Sequence, residues 1–448
     1  MTTPTDLPLA WVVPGPLRQL TGGYLYDARI VDGLRDHGWR VGVVDVRSTR
    51  WPLDPAAGRR LVSALGRERW GAVVVDELAH PSLAAALLMG RVRSAVGGAP
   101  LILMVHHLRC SEPSGMLGRG VALVVEWLAL QAADLVICTS ETTARTVRSV
   151  AGGGSGVQVV RPGWDTHGAP TPQPPPPAAG EGEQGTVRAG FQQPTAATAP
   201  PHLPRPQHSI PATNQPNLTR PQRPVPSTDH PDLPPSLPSP ARRAVGIEGP
   251  QGRPAVAGGG GNLRLLLVGH WTPRKGIVDA LATVARLGPG VTLDLVGEQD
   301  RDPAYAARVR SALGDPGLAG RVRVHGRVSA EALAALFAAA DAFLLPSTHE
   351  GYGMVLAEAL AAGLPIVATR VGAVPEVVRD GQEAILVSPG DVAALAGAVD
   401  RLARDPEEQR RRAECARERA VTLPRWSDSI SAFEGHLRAL LARRASDA

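Results

Sequence analysis

The sequence contains a single lysine, Lys275, although lysine and arginine together number 47. Arginine occupies every other such position, which suggests that Lys275 does something that arginine cannot. Aromatic residues make up only 4% of the chain, and this argues against a carbohydrate-binding module built on stacked rings. The three cysteines, Cys110, Cys138 and Cys415, are too far apart for a metal motif or a disulfide framework, as expected in a reducing cytoplasm.

Long apolar runs are also missing. No run reaches the ~18 residues that a membrane span needs, and the first residues lack the basic and apolar regions of a signal peptide. We therefore expect a cytoplasmic, soluble protein with no transmembrane segment and at most peripheral membrane contact. The formal charge of +5 is interspersed along the chain. This distribution argues against a nucleic-acid partner and leaves room for an anionic substrate or an anionic membrane surface.

Proline divides the chain into parts. More than half of its 43 prolines lie in residues 166–262, where no hydrophobic period survives. Such a composition cannot bury enough apolar surface to offset the entropy of ordering, so we predict a long disordered linker here. It separates an N-terminal domain, residues 1–165, from a C-terminal domain, residues 263–425. A helix and tail are predicted over residues 426–448.

Both flanking parts alternate short apolar strands with helical segments. Continuous apolar strands of this kind indicate parallel sheets covered on both faces, so the predicted fold class is α/β with two Rossmann-like domains facing a cleft. Ligands of such sheets bind at the carboxyl ends of the strands. The predicted strands are residues 9–13, 41–46, 72–76, 101–105 and 135–138, then 263–268, 292–296, 322–324, 342–345 and 365–368.

Two carboxylates frame a strand-to-helix switch at residues 342–363. Glu350 is predicted in the loop after the strand, and Glu358 is predicted inside the helix that ends at Gly363. The helix N-terminus between them offers free N–H groups to an anion. Surface carboxylates would be the ordinary interpretation, but the flanking glycines and the switch favour a site for a sugar linked to a nucleoside diphosphate.

Lys275 lies in a second loop of this kind, residues 269–276, between a strand and a helix. A cation near a helix N-terminus is unfavourable by some tenths of a kcal/mol unless an anion is bound. The alternative is a solvated lysine without a role. Its place at a strand's carboxyl end favours a phosphate-binding role.

These segments resemble the nucleotide-sugar-binding domain of family 4 retaining glycosyltransferases, which have the GT-B fold. The N-terminal part is similar more loosely, through the Gly loop that contains Gly22 and Gly23. The resemblance covers nearly everything outside the linker. The other matching segments are residues 133–140, 160–165, 269–276, 340–347, 350–363, 372–378 and Gly381.

The resemblance implies roles for individual residues. Lys275 would neutralise the donor diphosphate, Glu350 would hold hydroxyls of the transferred sugar, and Glu358 would hold the ribose. His106 stands where the family often has a histidine facing the sugar, although His107 beside it is an alternative. The donor site implied in this way consists of Gly22, Gly23, His270, Arg274, Lys275, Glu350, Gly351, Gly353, Met354, Val355 and Glu358.

The chain departs from the family pattern at two positions. His270 stands where the family usually has an arginine, so either Arg274 replaces that charge or His270 supplies it when protonated. Ala373 stands where the family often has a second glycine, and an alanine at this position can still pack. Nearby, Glu376 follows Pro375 at a predicted helix start, and we expect it to stabilise that helix dipole.

The resemblance implies a hexosyltransferase that retains the anomeric configuration. The acceptor, a small molecule, lipid or glycan, would attack from the leaving group's own side, so no strong nucleophile is expected. Tyr24 and Tyr26 are candidate acceptor contacts or, equally, core residues. No metal cluster and no G-x-G-x-x-G after the first strand are seen, so neither a metal nor NAD is predicted. Two alternatives remain: an epimerase or hydrolase of the same fold, and an inactive nucleotide-sugar-binding regulator.

Overall fold

Parallel strands form two six-stranded sheets in the computed structural model, which describes residues 7–17, 22–48, 50–90, 92, 96–112, 116–152, 156–165 and 262–446. The predicted linker lies outside the described residues except for Asn262. The first sheet contains β1 (Leu9–Val13), β2 (Val41–Asp45), β3 (Ala72–Asp76), β4 (Leu101–Val105), β5 (Leu135–Cys138) and β6 (Gly156–Val159). The second contains β7 (Leu263–Val268), β8 (Val291–Val296), β9 (Val322–Gly326), β10 (Ala342–Leu345), β11 (Ile366–Thr369) and β12 (Ala384–Val387).

Helices connect the strands in both sheets. Around the first sheet they are α1 (Gly22–Asp36), α2 (Pro55–Leu65), α3 (His80–Leu88), α4 (Met116–Ala132) and α5 (Glu141–Ala151). Around the second they are α6 (Ile277–Ala285), α7 (Pro303–Leu313), α8 (Ala330–Ala339), α9 (Met354–Ala361), α10 (Val374–Val377), α11 (Val392–Arg404) and α12 (Pro406–Val421). The last helix is α13 (Trp426–Ser446).

Each strand is apolar throughout because both faces of each sheet are covered. In β3, Val73 and Val75 pack into one core cluster, while Val74 packs into the cluster on the opposite face. In β7, Leu265 and Leu266 divide in the same way between two clusters. The twofold side-chain period of a strand makes this division unavoidable. The predicted α/β class with two parallel sheets is therefore confirmed.

In each sheet the strand order reverses at one place, which we call the switch point. The second sheet runs β12-β11-β10-β7-β8-β9, so the chain reverses direction between β7 and β10. The first runs β2-β1-β3-β4-β5-β6 and reverses between β1 and β3. Loops that leave adjacent strands in opposite directions open a crevice, which is where ligands of such sheets bind. The loops at residues 269–276 and 346–353 flank this point in the second sheet.

The final helix returns to the first sheet. We call residues 7–165 together with α13 the first lobe, and residues 262–425 the second lobe. Phe433 of α13 lies fully buried with its ring centroid 5.4 Å from that of Trp11 on β1. The backbone of Trp426 passes so close to Gly163 that a Cβ there would lie 2.3 Å from its nitrogen. The helix predicted to begin at residue 426 therefore completes the core of the first lobe, whose other elements lie far earlier in the sequence.

Two strands were not predicted from the sequence. Both β6 and β12 are four-residue strands at sheet edges, and β6 alternates exposed with half-buried residues. Short edge strands carry too few apolar residues to stand out. Among the described helices, none combines the length and the apolar character that crossing a bilayer requires.

Candidate active site

A cavity of about 840 Å³ lies between the two lobes. The first lobe contributes Gly22, Gly23 and His106, from the carboxyl ends of β1 and β4. The second lobe contributes Lys275 and Glu350, which follow β7 and β10. The cavity therefore joins the switch points of both sheets. It is large enough for a nucleotide-sized ligand, since ligand pockets typically measure about 300–1,000 Å³.

Lys275 and Glu350 form an ion pair at the second switch point. The distance from Lys275 Nζ to Glu350 Oε1 is 2.6 Å, and Arg274 Nη1 lies 3.4 Å from Glu350 Oε2. The Ser347 hydroxyl donates to Glu350 Oε1 at 2.7 Å. With one carboxylate between two cations, this cluster carries a net charge of about +1 towards the cavity.

The pKa of Glu350 shows which charge state the cluster holds. Burial alone would raise the pKa of Glu350, but Lys275, Arg274 and the Ser347 hydroxyl lower it to about 2. Burial lowers the pKa of Lys275, and Glu350 opposes that effect. Glu350 is therefore ionised at neutral pH, and the pairing keeps two charges in a buried place where neither would be stable alone.

A glycine lets the two loops meet. Gly276 has a φ of +62°, and a Cβ at this position would lie 1.9 Å from the Pro346 carbonyl oxygen. Only glycine combines this left-handed backbone with so close an approach. The turn presses the short 3₁₀ helix Pro273–Lys275 against the end of β10, which brings Lys275 to Glu350.

Glu358 projects from α9 into the same cavity. It lines the cavity together with Gly353, Met354 and Val355, whose backbone forms the helix N-terminus. Burial raises the pKa of Glu358 to about 7. No ion-pair partner of its carboxylate is found within the described part of the chain. The site thus has an acceptor whose hydrogen bonds a ligand can complete.

His106 lies on the opposite wall, held by two aspartates. Its Nε2 is 3.2 Å from Asp27 Oδ1 and 3.4 Å from Asp76 Oδ2. Burial alone would lower the pKa of His106, but hydrogen bonds and charges of the carboxylates raise it well above 6.5. These three residues also offer ligand atoms within 4.8 Å of one another, the only such group found in the described ranges. The His106 Nε2 contacts both carboxylates, so two aspartates hold this ring in position at the cavity wall.

His107, the sequence alternative to His106, has both ring nitrogens engaged. Nδ1 lies 2.8 Å from Glu77 Oε1, and Nε2 lies 2.8 Å from Glu112 Oε1. Its ring centroid is 5.6 Å from that of His349 in the second lobe. His106 uses Nε2 for its carboxylate contacts. The geometry therefore favours His106 as the histidine that faces a ligand.

His270 and Arg274 occupy different places in the cavity wall. Arg274 lies at the Glu350 carboxylate, beside Lys275. His270 Nδ1 lies 3.5 Å from Glu298 Oε2, and the same carboxylate also binds Arg301 and Arg327. Of the two candidates for the family's arginine, Arg274 stands in the Lys275 cluster. The Glu298 group was not recognised from the sequence, because its members follow different strands.

The two tyrosines lie in the first lobe close to His106. Tyr26 is fully buried and donates a hydrogen bond to the Val160 carbonyl at 3.0 Å, and its ring lies nearly perpendicular to the His106 ring with the centroids 5.4 Å apart. Tyr24 is also buried. Tyr26 lines the cavity, and an acceptor contact for either residue stays a prediction.

Glu376 joins the two lobes. Its carboxylate accepts the backbone N–H of Thr142 at 2.7 Å and that of Glu141 at 3.0 Å, at the N-terminus of α5. The sequence places Glu376 at the start of its own helix, α10, where we expected it to act on that helix dipole. The structure shows that it caps a helix of the other lobe, a contact 234 residues distant along the chain.

Gly351 makes a further contact between the lobes. A Cβ at Gly351 would lie 2.2 Å from the His106 carbonyl oxygen, so the loop after β10 passes directly over the end of β4. Gly22 faces Met354 in a similar but looser way, since a Cβ at Gly22 would lie 3.8 Å from the Met354 sulfur atom. The glycines at these positions allow the lobes to close around the cavity.

Two family models match this chain. Residues 24–167 match the model described as Glycosyltransferase Family 4, and residues 262–405 match Glycosyl transferases group 1. Together they span more than half of the chain. Each match falls on one lobe.

Curated proteins resemble part of the chain. A glycogen synthase from Mycobacterium tuberculosis is 37% identical over 180 residues, which are 38% of this chain and 41% of that protein. An MMP alpha-(1->4)-mannosyltransferase from Mycolicibacterium hassiacum is 39% identical over 157 residues, 34% of this chain and 37% of that protein. The chain thus spans less than half the length of these relatives.

Solved structures resemble the whole chain. A sucrose-phosphate synthase from Thermosynechococcus elongatus aligns with a TM-score of 0.67 at 19% identity, covering 98% of this chain and 100% of that one. HepE from Anabaena, in complex with UDP and glucose, aligns with a TM-score of 0.63 at 18% identity, covering 97% and 100%. Likeness at this identity establishes the fold alone.

Proposed function

Because this chain belongs to the group 1 and family 4 glycosyltransferases and has their GT-B fold, we propose that it transfers a sugar from a nucleoside diphosphate sugar to an acceptor hydroxyl with retention of configuration. The observation that carries the proposal is the cluster of Lys275, Arg274 and Glu350 in the cavity between the lobes. The two cations favour binding of an anionic leaving group, and the carboxylate can accept hydrogen bonds from the hydroxyl groups of a sugar ring beside it.

The departing diphosphate is stabilised by charge. In the proposed complex, Lys275 and Arg274 bind phosphate oxygens, together with the N–H groups that begin α9 at Met354 and Val355. Glu350 then turns from pairing with cations to accepting hydroxyl groups of the sugar. Its low pKa keeps it ionised for this purpose. Preorganised donors of this kind contribute about 2.7–4 kcal/mol each to transition-state stabilisation.

Glu358 provides the nucleoside contact. A half-buried carboxylate whose pKa is raised to about 7 by burial gains from hydrogen bonds that stabilise its ionised form. Two adjacent ribose hydroxyls supply such bonds. Nucleotide binding therefore lowers the pKa of Glu358 and is linked to release of a proton.

The chemical step needs no protein nucleophile. The acceptor oxygen attacks the anomeric carbon from the face of the departing diphosphate. The bond from that carbon to the phosphate oxygen breaks, and the acceptor proton passes to a phosphate oxygen. In the proposed complex, His106, held by Asp27 and Asp76 at the cavity wall, faces the reacting sugar.

The nature of the relatives supports a nucleotide-sugar donor. HepE of Anabaena has been solved in complex with UDP-glucose. The partial relatives include a phosphatidyl-myo-inositol mannosyltransferase from Mycobacterium leprae, 38% identical over 146 residues. These names support sugar transfer as the reaction class.

One assay tests the proposal against its rivals. The full chain is incubated with UDP-, GDP- and ADP-sugars, with and without candidate acceptors, and the anomeric signals are followed by NMR. Acceptor-dependent nucleotide release with an unchanged anomeric configuration supports the proposal. Release of an altered or free sugar without acceptor indicates the epimerase or hydrolase. Tight binding without release over hours indicates the regulator.

A Lys275→Ala variant tests the role of the cluster. We expect turnover to fall at least ~100-fold, because one preorganised charge donor is lost from the transition state. Arg286→Ala is the matched control, since Arg286 is an exposed cation in the same lobe. Near-normal transfer by the Lys275 variant would refute the assignment.

A further inference from the structure

Three side chains at the carboxyl ends of the first sheet bring ligand atoms for a metal ion together. Asp27 lies on α1, Asp76 ends β3, and His106 follows β4. Asp27 is 0% exposed and Asp76 is 2% exposed. One ligand atom from each residue lies within 4.8 Å of the others. Sequence spacing alone does not indicate this group, because its members meet only where β1, β3 and β4 lie side by side.

The distances within the group are close to those between the ligand atoms of a bound metal ion. His106 Nε2 lies 3.2 Å from Asp27 Oδ1 and 3.4 Å from Asp76 Oδ2. A tetrahedral ion that binds nitrogen and oxygen at about 2.0–2.2 Å separates its ligand atoms by about 3.3–3.6 Å. An imidazole Nε2 carries at most one hydrogen, which can point at only one of the two oxygens with good geometry. One ion between the three atoms contacts both carboxylates and the ring.

Neighbouring groups orient two of these ligands. Asp76 Oδ1 accepts the backbone N–H of Leu78 at 2.9 Å, and its other oxygen, Oδ2, is the one that lies near His106. The His106 ring packs tightly against the Gly loop, since a Cβ at Gly23 would lie 3.1 Å from the ring atom Cδ2. Outer contacts of this kind hold the ligands of a metal site in place.

Asp27 keeps one carboxylate oxygen that the protein does not use. Within the described residues, its Oδ2 is buried and accepts no hydrogen bond. The indole N–H of Trp11 approaches the Asp27 carboxylate without the geometry of a hydrogen bond. A buried carboxylate oxygen without a donor destabilises the folded state. A cation bound to this carboxylate would remove that destabilisation.

The charge of the group also favours a divalent cation. Two carboxylates beside a neutral imidazole carry a net charge of about −2, and protonation of the ring still leaves about −1. A divalent ion bound by the neutral ring and both carboxylates makes the group neutral. Neutrality matters here because buried charges are stable only when they are paired.

We propose that Asp27, Asp76 and His106 bind a divalent first-row metal cation, with Zn²⁺ as the ion that fits best. One imidazole and two carboxylates suit Zn²⁺, Co²⁺ or Mn²⁺ better than Mg²⁺, which prefers six oxygen ligands at about 2.0–2.1 Å. Ligand separations near those of a tetrahedron favour Zn²⁺. The ion ties α1 to the ends of β3 and β4 and fixes the His106 ring at the cavity wall. In the metal-free protein, a proton on Nε2 takes its place.

Calorimetric titration of the chelator-treated full chain with zinc chloride tests the site. We expect wild type to bind one Zn²⁺ that Asp27→Asn binds at least ~100-fold more weakly, because an amide replaces a charged ligand and loss of an outer partner alone weakens metal sites about 10–100-fold. Asp36→Asn is the matched control, since Asp36 is an exposed carboxylate on the same helix. Zn²⁺ should raise the unfolding temperature of wild type and of Asp36→Asn but not of Asp27→Asn, because an ion that binds only the folded chain stabilises it.

Each outcome supports the site or overturns it. Equal Zn²⁺ affinity in wild type and Asp27→Asn marks the bound metal as an adventitious ion only and overturns the proposal, as does wild type that binds no Zn²⁺. If Asp27→Asn does not fold, His106→Gln takes its place in the same comparison.

The visible spectrum of Co²⁺ bound to wild type needs no variant. Intense absorption is expected for a four-coordinate ion, and the weak absorption of a six-coordinate hydrated ion overturns the proposed geometry. All these measurements are made without donor or acceptor, so their result is independent of the sugar transfer proposed above.

Discussion

Glu376 is the residue whose removal should separate the two lobes without unfolding either. Glu376→Ala deletes two charge-assisted hydrogen bonds to the N-terminus of α5, where the carboxylate is 17% exposed. Hydrogen bonds to charged groups contribute about 1.5–3 kcal/mol each. Water can take over part of this hydrogen bonding at a helix end, so we take about 2 kcal/mol as the combined contribution of the two hydrogen bonds. That energy shifts the equilibrium between closed and open lobes ~30-fold towards the open form.

Two measurements follow this shift. The radius of gyration from X-ray scattering should rise in the Glu376→Ala variant, and the affinity for UDP or GDP by calorimetry should fall, by up to ~30-fold. Ser140→Ala is the matched control. Its hydroxyl caps the same helix within the first lobe, accepting the Thr143 N–H at 3.0 Å, so its loss should lower stability by about 1 kcal/mol and leave the lobes closed.

The expected pattern can fail in a definite way. If the scattering profile of Glu376→Ala matches wild type and nucleotide affinity changes less than twofold, the contact does not hold the lobes together. A large fall in unfolding temperature with Glu376→Ala but not with Ser140→Ala would also refute the reasoning, because it would make Glu376 a determinant of folding rather than of closure.

Three further predictions concern the cavity walls. The folded-state pKa of Glu358 lies above its unfolded value, so ionisation of this group destabilises the folded state as pH rises from about 4.5 to about 7. The Glu358→Gln variant should therefore unfold at a higher temperature than wild type above pH 7 and at the same temperature below pH 4.5. Its nucleotide binding should be weaker. Asp27→Asn should lower the pKa of His106 in an NMR titration, whereas Asp36→Asn, an exposed change on the same helix, should not. Gly276→Ala should reduce turnover as much as Lys275→Ala does, because its Cβ clashes with the Pro346 carbonyl; an active variant would show that the loop adapts.

Sequence patterns predicted the sheets well and the site in part. Continuous Val and Leu runs marked ten of the twelve strands, because parallel strands buried on both faces leave a strong signal. Glu350, Glu358 and Lys275 stood out as charged residues at strand-to-helix switches, and the structure brings all three to one cavity.

Partners from other strands could not be predicted in this way. Asp27 and Asp76 meet His106 only because β1, β3 and β4 are neighbours in the sheet, and β1 and β3 are not consecutive in the chain. Glu298 follows β8 and contacts His270 and Arg327, which follow the neighbouring strands β7 and β9. Strand order follows from crossover connections, and a pattern of apolar residues does not encode it.

The amino-acid sequence by itself determined the elements, the two parallel sheets and the residues that carry unusual charge, since these depend on local periodicity and on which residue types begin and end helices. Tertiary structure alone decided how the charges pair, that α13 completes the first lobe, and that Glu376 caps a helix of the opposite lobe. The Lys275–Glu350 pair, the Glu376 cap and the contact of Ser429 on α13 with Arg161 each join groups more than 70 residues apart in the chain. Their energies arise from burial and close approach, which exist only once the chain has folded.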